Sequence, residues 1–383
     1  MKSVIRFTLG VLLFGLFACP AQAAFSSLYI FGDTVSDTTT GSGGAYYYGN
    51  RWSNGRIWVE LLAQELNLTN NFWYSNSITD HLSYTNLSAS STGWSYSSNN
   101  LSYFDDNSAN LVANVNAFTA PPDASNTLII IWVSDADFSD DMANVYPSTD
   151  PTTWSNAISL TLTNHFIAIT NLYAKGARTL IMPNTVDITE IPEYDKDSGR
   201  SFVRQMVMNF NTEFTAMLSN AMVSYPGLKI YEPDFFSLLD NILANPAAYG
   251  VTNALYNGQS IDVIEDFSLS DKSLNGPGTN YIFWDYEDPT AKVHAIMADL
   301  AKQLIAPAQI GQITSHNGTN QLNLANVPVG LDGIVLGGSN LALTNWTTVT
   351  NFSSTNSTLS VSVPISGPMQ FYRLYFPFSW TWP

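Results

Sequence analysis

The sequence predicts an α/β protein with a central parallel sheet, followed by a small all-β module. Three observations predict it. Short, wholly apolar runs such as "TLIIIW" (127–132) and "RTLIMP" (178–183) read as strands buried on both faces. Between them stand longer segments with apolar residues at helical spacing, as in "RSFVRQMVMNFNTEFTAMLSNAMV" (200–223). After Ala306 the texture changes to short alternating runs of Val, Leu and Ile, broken by Gly and Asn turns.

The first strand is "LYIFG" (28–32), leading into a tight turn at "DTVSD". "GRIWVELLAQEL" (55–66) predicts the first helix. Residues 67–110 show no clear period and read as loops and short edge strands near the ligand face. After "TLIIIW", residues 152–176 form a long amphipathic helix closed by Gly176 as a C-cap. "RTLIMP" is the next buried strand, 200–223 the next helix and "LKIY" (228–231) the next strand. "FFSLLDNILANP" (235–246) is a helix stopped by Pro246. "PTAKVHAIMADLAKQLI" (289–305) is the last helix, with Pro289 at its first turn. Strands alternating with helices in this way imply a parallel sheet that binds ligands at the carboxyl ends of its strands. Thr34 follows one such end and Ser134 another. The stretch beyond residue 306 is long enough for a small sandwich and reads as a stabilising or attachment appendage.

The chain opens with Lys2 and Arg6, an apolar run too short to span a bilayer, and the small-residue site "AQA" (21–23), the pattern of a secretory signal. "LFAC" (16–19) offers a second reading, lipid attachment at Cys19. Cys19 is the only cysteine, so no disulfide framework is available and the fold must rest on burial. The net charge is −17, from 14 basic and 31 acidic residues, which argues against nucleic acid as a partner. Only 12% of residues are charged while Ser, Thr and Asn abound, which suits an exported, soluble or lipid-anchored monomer.

Six segments carry a resemblance: "YIFGDTVSD", "NRWSNGRIWVELLAQEL", "VNAFTAPPDASNTLIIIW", "YAKGARTLIMPNTVDITEIP", "NILANPAAYGVTNA" and "FWDYEDPTAKVHAIMA". In this order and spacing, across 29–298, they resemble the GDSL or SGNH hydrolases. The resemblance implies a flavodoxin-like, three-layer fold and an ester-hydrolase cleft. It divides the chain into a signal (1–23), a hydrolase-like domain (24–306) and a C-terminal module (307–383). It further implies a serine nucleophile, a histidine base, an aspartate three residues before that histidine, and an oxyanion hole. The hole is built from the nucleophile's own N–H, a glycine N–H and an asparagine side chain.

At all of these places but the aspartate the chain departs from the pattern. Thr34 stands at the nucleophile, and its β-methyl stiffens χ1 and crowds attack. Ser90 and Ser91 stand where glycines are implied, though Ser91 would still offer an N–H. In "SDAD" (134–137) Ser134 takes the glycine place and Ala136 the asparagine place, removing a donor worth roughly 3 kcal/mol to the transition state. In "DYEDPT" (285–290) Asp285 is retained, but Asp288 replaces the histidine. A carboxylate of ordinary pKa is a poor base for an alcohol. His294 lies six residues on, His165 mid-helix, His316 in the appended module, and His81 in the irregular stretch from which it could reach the cleft.

The expectation is a catalytically impaired homologue that binds an ester-bearing glycan or lipid and needs no cofactor. The alternative is an active carbohydrate or lipid esterase with Thr34 as nucleophile. Asp33, Asp135, Asp137, Asp285 and Asp288 could gather to hold a hard cation or to act on a glycoside. The plainer expectation is that Asp33 and Asp137 cap turns or helices.

Overall fold

The computed structural model describes residues 25–37, 46–49, 51–66, 68, 101–104, 107–328, 332–341, 345–365, 367 and 370–376. Residues 1–23, read as a signal, with Cys19, and His81, Ser90 and Ser91 lie outside the described residues.

Strands β1 (Ser27–Gly32), β2 (Leu101–Phe104), β3 (Thr127–Trp132), β4 (Thr179–Ile181) and β5 (Lys229–Tyr231) form one five-stranded sheet in the order β2-β1-β3-β4-β5. All its pairings are parallel. This is the flavodoxin-like order, in which the chain reverses direction across the sheet between β1 and β3 and opens a crevice there. β1 and β3 are buried along their whole length, as their unbroken apolar runs require.

The helices are α1 (Trp58–Glu65), α2 (Ser108–Ala117), α3 (Ser134–Asn144), α4 (Pro151–Ala174), α5 (Arg200–Ser224), α6 (Phe235–Ala244) and α7 (Ala291–Ile305). α1 packs on α7, while α2 packs on α4 and α4 on α5, so the sheet lies between two helical layers.

The irregular stretch contains, as read, a short edge strand, β2. Four local features differ from the sequence reading. α2 begins at Ser108, within that stretch, where Asn107 caps it by accepting from the Ala109 and Asn110 N–H groups. A helix, α3, begins at Ser134 directly after β3. Gly176 is one residue beyond the C-cap Lys175, with φ +102°, a left-handed turn that glycine adopts without a Cβ clash. Pro289 precedes the N-cap Thr290 rather than sitting inside α7, and its carbonyl accepts from the Ser53 hydroxyl at 2.8 Å.

Beyond α7 the chain forms β8 (Gln309–His316), β9 (Thr319–Ala325), β10 (Asp332–Gly338), β11 (Thr347–Ser353), β12 (Leu359–Pro364) and β13 (Phe371–Tyr375), numbered after the short hairpin strands β6 (Leu255–Tyr256) and β7 (Gln259–Ser260). They make two three-stranded antiparallel sheets, β12-β9-β8 and β11-β10-β13. Leu322, Leu324, Val335, Val361 and Val363 from both sheets share one small core. Among the described residues, no helix is long and apolar enough to cross a membrane.

Candidate active site

The site begins where β1 stops. Gly32 ends the strand, and a Cβ there would meet Ser36 Cβ at 2.5 Å, so the turn can fold back only on glycine. The Asp33 carbonyl then accepts from the N–H groups of Ser36 (3.0 Å) and Asp37 (2.8 Å), closing the turn. The Asp33 side chain takes the Val35 N–H at 3.2 Å, and the Ala136 N–H at the start of α3 faces the same carboxyl. Thr34 is left partly exposed on the cleft.

The turn before α7 supplies the opposite wall. Asp285 Oδ1 accepts from the N–H groups of Glu287 (3.1 Å) and Asp288 (2.8 Å), and its Oδ2 accepts from the Tyr47 hydroxyl at 2.9 Å. Asp285 therefore shapes its own turn. Asp288, so positioned, faces the Thr34 side chain, whose hydroxyl slightly favours the ionised carboxyl. Its Oδ1 is buried without a partner. The structure thus brings Thr34 and Asp288 together and holds Asp285 behind them.

Carboxyls crowd this point. Asp33 lies near Glu287, Asp135 and Asp288, and each neighbouring charge named for these groups is another carboxylate. Burial, more than these neighbouring charges, pushes Asp33 up to about 8. Burial, then the charges of Asp285, Glu287 and Asp33, holds Asp288 well above the usual carboxyl range. Burial and Asp33 do the same for Asp135, which accepts from the Val186 N–H at 3.1 Å. Glu287 is also raised by burial, though the Ser139 hydroxyl donates to its Oε1 at 3.1 Å. Asp285 is pushed up to about 6, again by burial.

The remaining predicted residues separate from the centre. Asp137 serves α2, accepting from the Ser108 N–H and hydroxyl, both at 3.0 Å. Ser134 is buried at the start of α3. His294 is also buried: its Nδ1 accepts from the Trp58 N–H at 3.2 Å, and burial lowers its pKa to about 3. His165 packs edge-on against Phe214, with its Nδ1 on the Thr161 carbonyl at 2.8 Å. His316 lies in β8. Among the described residues, no group of three or more His, Cys, Asp or Glu side chains is arranged to hold a metal ion, so the aspartates do not form the cation cage that their sequence allowed.

Sequence reasoning missed the other wall of the cleft. A cavity of about 210 Å³ opens beside Asp33, Thr34, Asp135 and Ala136. One apolar side comes from Phe235, Leu238, Leu239 and Ile242 of α6. The spacing of these four residues is one helical stripe, a signal already present in "FFSLLDNI". Ile188, Ile191, Val293 and Met297 extend the apolar lining. The described lining residues end at Met297, before the C-terminal module.

The sequence model of the GDSL-like lipase/acylhydrolase family matches residues 28–301. The chain belongs to this family. A GDSL esterase/lipase of Arabidopsis thaliana is 29% identical over 175 residues, which are 39% of this chain and 41% of that relative. The chain thus spans less than half of that relative's length. A second Arabidopsis GDSL esterase/lipase is 23% identical over 321 residues, covering 72% of this chain and 88% of its own. Among solved structures, Axe2, an acetylxylan esterase from Geobacillus stearothermophilus, aligns with 74% of this chain and 96% of its own at a TM-score of 0.40 and 9% identity. LAE5, an α/β hydrolase from the metagenome of Lake Arreo, covers 74% of this chain and 97% of its own at a TM-score of 0.38 and 11% identity.

Proposed function

We propose that this family member is an exported, catalytically impaired hydrolase homologue that binds an acyl- or alkyl-bearing ligand beside Thr34 without turning it over. One observation carries the reading: the residue that faces Thr34 is Asp288, a carboxyl buried among other carboxyls. Burial and the neighbouring charges favour its protonated form, and a protonated carboxyl cannot take a proton from an alcohol. The described histidines offer no replacement, because His294 is engaged with Trp58 and His165 with Thr161. Ala136 brings no side-chain donor to a developing oxyanion. The apolar stripe of α6 favours a lipid-like ligand over the glycan that the sequence also allowed. Export rests on the basic start, apolar run and "AQA" site at the N-terminus.

The test pairs turnover with binding. p-Nitrophenyl octanoate should be released no faster by the native chain than by Thr34→Ala, while octanol binds in the cleft with measurable heat. Native turnover that Thr34→Ala abolishes would overturn the reading.

The same juxtaposition of Thr34 and Asp288 favours a second reading. Once Asp288 ionises, its carboxylate stands beside the Thr34 hydroxyl as a base of raised pKa. That reading requires turnover that climbs with pH and disappears in Asp288→Asn.

A further inference from the structure

We infer that the cleft takes an amphiphile with a cationic amine head, the amine seated among Asp33, Asp135 and Glu287 and the tail lying along the α6 stripe. This rests on the reading of the cleft as a site for an acyl- or alkyl-bearing ligand, and narrows it to one class of head group.

The cavity has two chemically different ends. Its apolar side is the α6 stripe with Ile188, Ile191, Val293 and Met297. Every titratable residue lining the other end is acidic: Asp33, Asp135, Asp140 and Glu287, with no Lys, Arg or His among the described lining residues. Asp33 is 4% exposed, and its Oδ2 has no hydrogen-bond partner. A buried polar atom left unsatisfied is costly, so the fold holds this oxygen at a loss that a ligand's hydrogen bond could recover. An ammonium offers three donors and no acceptor, and its charge offsets the repulsion between the carboxyls.

Other head groups fit less well. A carboxylate or phosphate would meet only acidic groups in the cavity, in a chain of net charge −17. A neutral hydroxyl supplies one donor and leaves the carboxyl repulsion in place. A compact metal ion needs converging ligands, and no described group of three or more provides them. Burial raises the Asp33 and Glu287 carboxyls above their usual range, so an arriving ammonium should displace protons from them.

Isothermal titration with matched eight-carbon ligands tests this on the full native chain at pH 8. Octylammonium should bind at least tenfold tighter than octanol, and octanoate should bind weakest. In Asp33→Asn/Glu287→Gln the octylammonium advantage over octanol should fall to less than threefold, with an unchanged near-UV circular dichroism spectrum reporting that the fold is intact. Asp33→Asn alone should lose part of the advantage. Octanoate binding as tightly as octylammonium, or an octylammonium advantage that survives the double substitution, would overturn the inference. Octanol binding without any gain for octylammonium would overturn this inference alone. Failure of all three ligands to bind would overturn the amphiphile reading with it.

Discussion

Among the places where residues 28–301 bury charge, two are built on opposite principles. Next to α1, Glu60 is 1% exposed, yet each of its oxygens is satisfied. Arg51 reaches Oε1 at 2.6 Å and Oε2 at 3.2 Å, Arg56 reaches Oε1 at 3.4 Å, and the Ile57 N–H reaches Oε2 at 3.1 Å. Both guanidinium groups also lie near the Tyr48 ring, at 5.9 and 5.8 Å. Around Thr34 the buried carboxyls face one another instead, with Asp33 Oδ2 and Asp288 Oδ1 unpartnered. The first cluster is paired, hydrogen-bonded and closed, so it secures the fold. The second is like-charged and opens on a cavity, so the fold tolerates it at a cost. It is on this unpaired cluster that the proposed ligand site rests.

The largest effect should come from breaking the paired cluster. Arg51→Ala leaves Glu60 with a weakened buried counter-charge, and should cost about 3–5 kcal/mol in urea unfolding at pH 7. A cost under 1 kcal/mol would show that the two clusters are energetically alike.

Next is the opposite response of the carboxyl cluster. Asp33 is raised from the ordinary 3.8 to about 8, so its contribution to stability is full below about pH 4 and is lost as pH rises toward 8. Asp135 and Asp288 are displaced in the same direction. The thermal midpoint of the native chain should therefore fall across that window. Asp33→Asn keeps an acceptor for the Val35 N–H but has no proton to lose. It should melt several degrees above the native chain at pH 8.5 and within a degree or two of it at pH 4. A variant less stable than the native chain at both pH values would remove the claim that ionised Asp33 is a burden.

The smallest effect concerns Ser139. Its hydroxyl holds Glu287 Oε1 at 3.1 Å and lowers the pKa of that carboxyl against the effect of burial. Ser139→Ala should cost about 1 kcal/mol and move the Glu287 titration to higher pH, read from its carboxyl carbon by NMR. A titration that stays in place would mean the hydroxyl contributes nothing there.

Much of this was legible in the sequence, and the limits have physical causes. Buried parallel strands announce themselves because both faces are apolar, and "TLIIIW" became β3 as read. The register of Thr34 against Asp288 followed from two short motifs at fixed places on such a sheet. α3 was missed because "SDADFSDDMAN" carries four aspartates and little apolar stripe; it is placed by Phe138 and Met142 packing inward. The pairing of Glu60 with Arg51 was invisible because the chain between them must first turn into α1. The sequence named five aspartates as one group, but Asp137 is turned to Ser108 of α2 and Asp285 to its own turn and Tyr47. Glu287 takes a place in the cluster that no motif assigned to it. A carboxyl's partner is decided by the fold around it, which residue type and spacing alone do not encode.

The central claim is that the cleft has kept a hydrolase's shape while its proton-transfer parts have been replaced. Ester turnover by the native chain, by Thr34→Ala and by the triple variant Thr34→Ser/Ala136→Asn/Asp288→His tests it most directly. The triple variant restores an unhindered nucleophile, an oxyanion donor and an imidazole base beside Asp285, which already sits behind position 288. The account predicts native and Thr34→Ala rates equal to the uncatalysed background, and a triple variant at least a hundredfold above it. Native turnover that disappears in Thr34→Ala, or a folded triple variant no faster than background, would contradict it.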